Sequence, residues 1–280
     1  MPNIDGYILL IQEIAELYSN EKMLKESVCK RHRNDFPAFC AELESLYSAS
    51  MNSVCEKYLN PFIEQYSFLA SPSYMQVVLH REKRETDHSL FLKYVLNSQS
   101  KVGRSILRDL CKVVGCKSEL IKEIEQGSYT VESEFSTKRQ RKSSLSQRRM
   151  DLLIRDDKNK WLIVIENKIN SKIRIEKGNQ LDAYSEYCER YFPQYTALYI
   201  LLSYRDDNFK DIENRKWRAL NYYSVFNVLL KYVEEDDFIK EYLRILYFLL
   251  FPNIQFSYVY KQTSLYRCWL FINCVILKLN

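Results

Sequence analysis

The chain has 280 residues, 46% hydrophobic and 28% charged, with 41 Lys and Arg against 36 Asp and Glu and a formal net charge of +5. That length suits one domain with an extension, or two small domains, burying a full core without disulfide or metal staples, and the balance excludes a disordered tail. Five glycines, with neither GxGxxG nor GxxxxGK[ST], argue against a Gly-rich phosphate cradle, and mild basicity permits a nucleic-acid partner without establishing one.

In chain order, residues 1 to about 70 show helical periodicity. Ile8, Ile11, Ile14, Ala15 and Tyr18 fall on one face, and Phe39, Leu43, Leu46 and Tyr47 on another. Ser71-Pro72-Ser73 punctuates, so residues 1–72 read as an N-terminal helical region. A long helix is predicted from Met75 to Val95 and a second from Val102 to Val114. After Gly127 the period becomes two, predicting strands over Tyr129–Phe135, Met150–Ile154 and Trp161–Ile165. A helix over Gly178–Tyr191 and a strand over Thr196–Leu202 follow. The last helical stretch, Tyr222–Phe251, is broken at Glu234-Glu235-Asp236-Asp237. Helices, three strands, a helix, a strand and helices make an α/β domain over residues 75–255, with 256–280 as a tail or helix.

The eight cysteines form no CxxC pair, and three histidines supply no zinc-finger spacing. Gln12, Glu13 and Glu16 interrupt the apolar start, so no signal peptide is expected, and reduced thiols in a cytoplasmic protein are the default. The most apolar run, Ile245–Phe251, is far short of the ~20 residues of a membrane span, so no membrane partner is expected.

Chemistry concentrates between Arg149 and Lys168. Asp156 to Lys160 is a polar turn between two apolar runs, which predicts a β-hairpin with Lys158-Asn159 at its tip. That register would set Asp151 opposite Glu166, with Cβ atoms roughly 4.5–5.5 Å apart, and one longer by a residue would put them diagonal on the same neighbouring strands. Two carboxylates so close at the ends of buried strands repel each other, and are tolerated with a cation between them or a proton on one. Lys168, two residues after Glu166, leaves the same sheet face. Two carboxylates and one ammonium are the minimum for holding Mg²⁺ through oxygen ligands beside an oriented water.

Asp151 followed by Glu166-Asn167-Lys168 on adjacent strands resembles the PD-(D/E)XK nuclease superfamily. Gln180-Leu181-Asp182-Ala183-Tyr184 is similar to the QxxxY motif of its RecB-type and lambda-exonuclease-type branches. Glu85-Thr86-Asp87-His88-Ser89 resembles the E-x-x-H-S helix start of a bacterial branch, in which a Trp precedes a Tyr-containing helix as Trp217 and Tyr222 do here. Met150 stands where the superfamily's name has proline. The resemblance implies a restriction-endonuclease-like core over about residues 78–255: a mixed central sheet flanked by helices in α-β-β-β-α-β order, behind the N-terminal helical extension. It implies Asp151, Glu166 and the backbone carbonyl of Asn167 as ligands of Mg²⁺ or Mn²⁺. Glu85 would be a further ligand, with His88, one turn on, as the competing candidate. Lys168 would hold or deprotonate the attacking water. Gln180 and Tyr184 would orient the lysine and contact substrate phosphate, although their i, i+4 spacing equally suits an amphipathic helix with its Tyr in the core.

Residues 138–149 hold six basic side chains and no acid: Lys138, Arg139, Arg141, Lys142, Arg148 and Arg149. Directly before Asp151, they would meet a phosphodiester first. The expectation is a Mg²⁺-dependent nuclease hydrolysing phosphodiesters of double- or single-stranded DNA. An RNA-directed hydrolase shares every one of these residues. A non-catalytic nucleic-acid-binding or assembly module is the alternative from another class, and oligomeric state, homodimer included, stays open.

Overall fold

The computed structural model describes residues 60–137, 149–169, 180–212 and 216–251, with a few isolated positions before residue 60. The chain divides into two compact units, Met1–Ser67 with Phe256–Asn280, and Phe68–Gln255. Of the first unit, short helical pieces up to helix Asn60–Gln65 are described. The periodic positions Ile8 to Tyr47 and the 256–280 segment lie outside the described residues.

In the second unit the helix predicted over Met75–Val95 forms as two pieces. A π-helical turn, Met75–Leu79, ends at His80, whose φ of 49° turns the chain into the left-handed region. Helix α1 (Glu85–Val95) then restarts, and Arg81 Nη2 donates to Asp87 Oδ1 at 2.8 Å across the break. Helix α2 (Gly103–Val113) buries Ile106, Leu107, Leu110 and Cys111, and stops before Gly115, at φ 68°. That conformation costs glycine nothing.

Helix α3 (Ser118–Gln126) was not foreseen, because it is short and only Ile124 is fully buried. Behind it, a Cβ on Gly127 would lie 2.6 Å from the Glu123 carbonyl oxygen, so only glycine fits.

Five strands follow: β1 (Thr130–Ser136), β2 (Arg149–Asp156), β3 (Trp161–Lys168), β4 (Thr196–Ser203) and β5 (Trp217–Asn221). They form one sheet in the order β1-β2-β3-β4-β5. The β1–β2 and β2–β3 pairs are antiparallel and the β3–β4 and β4–β5 pairs parallel. Helix α4 (Gln180–Tyr191) lies between the parallel strands β3 and β4 in the chain, the crossover that such a pair needs. Helices α5 (Tyr222–Leu230) and α6 (Asp237–Leu250) close the unit. The result is the mixed sheet flanked by helices expected of a restriction-endonuclease-like core. Strand β5 escaped the sequence reading because Arg218 and Ala219 are both exposed, which breaks the period of two. The acidic break is where foreseen, and Asp236 Oδ1 caps α6 by accepting from the Phe238 N–H at 2.7 Å.

The hairpin register is the one the sequence specified. Leu152 pairs with Ile165 and Asp156 with Trp161, so Asp151 and Glu166 are the next opposed positions. The loop has four residues, 157–160, and Lys160 takes φ 55°. Asp156 holds it: Oδ1 accepts from the N–H of Lys158 at 2.8 Å and of Asn159 at 2.9 Å, and Oδ2 from Asn159 Nδ2.

Strand β3 is buried along its whole length, which explains its continuous apolar run. Alternation sends Leu162, Val164, Glu166 and Lys168 to the face covered by α4. There Leu153, Leu162, Val164, Leu181, Tyr184, Cys188 and Leu201 form a core, and Asn167 points to the opposite face. Among the described residues no helix is long and apolar enough to cross a membrane.

Asp156 is 1% exposed and satisfies three donors. Asp156→Ala should therefore lower stability by about 1–3 kcal/mol. A urea titration should show a lower midpoint at unchanged slope.

Candidate active site

Four consecutive residues at the end of β3 each present one group to the same place. Glu166, fully buried, points its carboxylate toward α4. Its Oε1 accepts from Lys168 Nζ and, at 2.8 Å, from Gln180 Nε2. Asn167 donates its backbone N–H to Asp151 Oδ2 at 2.7 Å. Ile169 donates its N–H to Glu85 Oε1 at 2.8 Å, which brings the first residue of α1 to the strand end. Asp151, Glu166, Lys168, Gln180 and Glu85 are thus brought together from two strands and the starts of two helices.

Helix α4 is held from two sides. Trp217 Nε1 on β5 donates to the Leu181 carbonyl at 3.2 Å. Tyr184 accepts from Gln180 Nε2 at 2.8 Å and donates its hydroxyl to the Arg149 carbonyl on β2. Gln180 is therefore fixed over Glu166, and it reaches Lys168 through that shared carboxylate oxygen rather than directly. Tyr184 is 1% exposed, so it steadies Gln180 from the core.

Both ring nitrogens of His88 are engaged. Its Nε2 lies 2.8 Å from the Glu82 carbonyl oxygen and its Nδ1 3.2 Å from the Tyr242 hydroxyl. The carbonyl can only accept, so Nε2 carries the proton and Nδ1 accepts from Tyr242. Burial pushes the imidazole down to about 4 despite its bond to Glu82 and the nearby Asp87 and Glu85, so it is neutral near pH 7. The Glu85 carboxylate, by contrast, lies at the end of β3 on the Ile169 N–H.

Of the basic cluster, Lys138, Arg139, Arg141, Lys142 and Arg148 lie outside the described residues. Arg149 is exposed and pairs with Glu134 at 3.6 Å. The sequence reading missed Glu134. The β1–β2 register places it opposite Asp151, and its φ of 54° interrupts the ladder there. The connection from β1 to β2 is too long to reveal that register from sequence. Tyr222 carried no assigned role either; its hydroxyl donates to Asn167 Oδ1 at 2.6 Å.

The charges show the cost of this convergence. Burial raises the Asp151 carboxyl to about 6, opposed by Lys168 and the Asn167 N–H and reinforced by Glu134 and Glu85. Burial and then Asp151 push Glu166 well above the usual carboxylate range. Burial alone would lower Lys168, but Glu166, Asp151 and Glu85 outweigh it and hold the ammonium above its ordinary value. One ammonium thus faces several acids.

A model of the PD-(D/E)XK nuclease superfamily matches residues 74–253. The chain belongs to that superfamily. No curated protein and no solved structure matches it. The match spans the sheet and the helices that carry all five converging residues, and superfamily members generally work with divalent metals.

The side chains present fit such an ion. Glu166 Oε2 is buried and has no hydrogen-bond donor among the described residues, an acceptor that a cation, a proton or a water would satisfy. Its neighbours are hard carboxylate oxygens, which suit Mg²⁺ or Mn²⁺ rather than a soft metal. Among the described residues no three His, Cys, Asp or Glu side chains form a ready-made metal cage. An ion here would draw its remaining ligands from backbone carbonyl or water oxygens, as is usual for Mg²⁺.

A stability prediction follows from Asp151. Its raised pKa means the folded state binds its proton more tightly than the unfolded chain, where the carboxyl titrates at ~3.9. This stabilisation is present below the unfolded value and lost as pH rises through about 6. Without divalent ions, Asp151→Asn should raise the melting temperature at pH 7.5 and flatten its decline between pH 4 and 7. Thermal melts in chelator across that range measure it.

Proposed function

We propose that this protein is a metal-dependent nuclease that hydrolyses DNA phosphodiester bonds. The observation that carries the reading is the opposed Asp151–Glu166 pair, with Asp151 half-buried, Glu166 fully buried and its Oε2 without a hydrogen-bond donor, and one ammonium, Lys168, beside it. A purely structural pair would be expected to have that oxygen hydrogen-bonded.

Asp151, Glu166 and the Asn167 carbonyl would hold Mg²⁺ or Mn²⁺, with Glu85 contributing directly or through water. When bound, the cation supplies Lewis acidity, drawing charge from a phosphoryl oxygen and making a water easier to deprotonate. Lys168, an ammonium before a metal arrives, acts first as a donor: it orients the attacking water and neutralises charge growing on the phosphate. Once the carboxylates are engaged elsewhere, its pKa falls and it can take up or release a proton at the reacting water. Gln180 keeps Glu166 Oε1 in place, which would leave Oε2 for the ion. The basic residues 138–142 would gather the phosphodiester backbone ahead of β2.

The direct test incubates purified protein with linear, circular and single-stranded DNA and with RNA, with and without Mg²⁺. Cleavage of DNA that needs Mg²⁺ and disappears in Asp151→Asn is the expected result. Cleavage of RNA alone would replace the substrate class, and no cleavage with intact binding would favour an assembly module. Lys168→Ala should keep the fold and DNA binding while hydrolysis falls at least ~10²-fold. Lys168→Arg should not restore it, because guanidinium does not give up its proton.

Neutralising Lys138, Arg139, Arg141 and Lys142 together tests substrate capture apart from chemistry. Each phosphate contact releases about 0.9 counterion on duplex DNA, so the slope of log affinity against log salt should flatten. The loss should be about equal for all sequences, since phosphate contacts carry no base information. Binding measured in Ca²⁺ across a salt series decides it, and an unchanged slope places the DNA path elsewhere.

A further inference from the structure

The residue between Glu166 and Lys168 contributes a side chain as well as a backbone. Asn167 is fully buried on the sheet face opposite the two charged residues. Its Nδ2 donates to the Glu85 carbonyl oxygen at 3.0 Å and lies 3.4 Å from Ser89 Oγ. Its Oδ1 accepts from Tyr222 OH at 2.6 Å. Packing alone does not require a carboxamide here: a buried amide costs free energy unless it is bonded, and an aliphatic chain would fill the same space.

What the bonds achieve is geometric. The carboxamide ties β3 to the first turn of α1 by the backbone of Glu85, the residue whose carboxylate is held by the N–H of Ile169. The Asn167 backbone N–H meanwhile holds Asp151. One residue thus sets the distance between an acid on a helix and an acid on a neighbouring strand. Helix α1 has no side-chain cap from Arg84, and its start is held on the strand end by this tie together with the Ile169 N–H on the Glu85 carboxylate. Tyr222, the first residue of α5, fixes the carboxamide's orientation: with Oδ1 bonded to the phenol, Nδ2 must face Glu85.

We propose that Asn167 and Tyr222 are positioning residues for divalent-cation binding: Tyr222 orients the Asn167 carboxamide, and the carboxamide sets Glu85 against Asp151 and Glu166. This rests on the reading of those carboxylates as the metal site, and deepens it.

The test measures Ca²⁺ affinity by calorimetry on the full chain, with Mn²⁺ as a second ion, for wild type, Asn167→Leu, Tyr222→Phe and the double variant. Circular dichroism and melting temperature are recorded alongside. Groups that orient metal ligands typically carry a 10–100-fold effect, so each single variant should weaken Ca²⁺ binding about tenfold or more. Metal-free DNA binding should not change. The double variant should bind Ca²⁺ no worse than Asn167→Leu alone, because Tyr222 acts through the amide. Variants that melt lower yet bind Ca²⁺ like the wild type would overturn the proposal and leave these residues merely structural. Additive losses would overturn the step from Tyr222 through Asn167. Should Asn167→Leu fail to fold, Tyr222→Phe decides alone: normal Ca²⁺ affinity in it overturns the proposal. A wild type that takes up neither ion overturns the metal reading itself, an outcome distinct from all the others.

Discussion

Two carboxylates held opposite each other at the end of buried strands are the constraint around which this unit is arranged. At about 4 Å and an effective dielectric near 20, two unit charges interact by ~4 kcal/mol, comparable with much of a domain's net stability. The protein answers with Lys168, the Gln180 amide and the Asn167 N–H. One ammonium cannot neutralise Asp151, Glu166 and the nearby Glu85. The residual negative charge appears as the raised proton affinity of both strand carboxyls.

The supports explain why the pair stays put. Glu166 and Lys168 sit on a central strand covered on both faces, so their backbones have little freedom. The helix starts that complete the site are pinned by long-range hydrogen bonds: α4 through Trp217 to Leu181, and α1 through Asn167 to Glu85. Precision comes from secondary-structure elements bonded to one another rather than from a loop.

His88 and Tyr184 illustrate what decides whether a reactive side chain takes part. Both belong to motifs that resemble those of nucleases, and both lie beside the site. Each has its polar atoms already occupied: His88 by Glu82 and Tyr242, Tyr184 by Gln180 and Arg149. They shape the site from the core. Glu166 Oε2 is the opposite case, buried next to them and lacking a partner.

Much was legible in the sequence because it is local. Period-two alternation and a short polar turn fixed the hairpin register, hence the juxtaposition of Asp151 and Glu166 and the shared face of Lys168. The same logic gave four of the five strands and the crossover helix. Strand β5 and helix α3 were hidden because each buries too few residues to leave a period. That the Glu85 carboxylate lies on the Ile169 N–H while His88 bonds Glu82 and Tyr242, that Glu134 faces Asp151, and that Tyr222 grips Asn167 are visible only in the tertiary structure. Those contacts join residues 84 and 55 positions apart in the cases of Glu85 with Ile169 and Tyr222 with Asn167. Periodicity assigns a side chain to a face, but which polar atoms meet there depends on how distant elements pack.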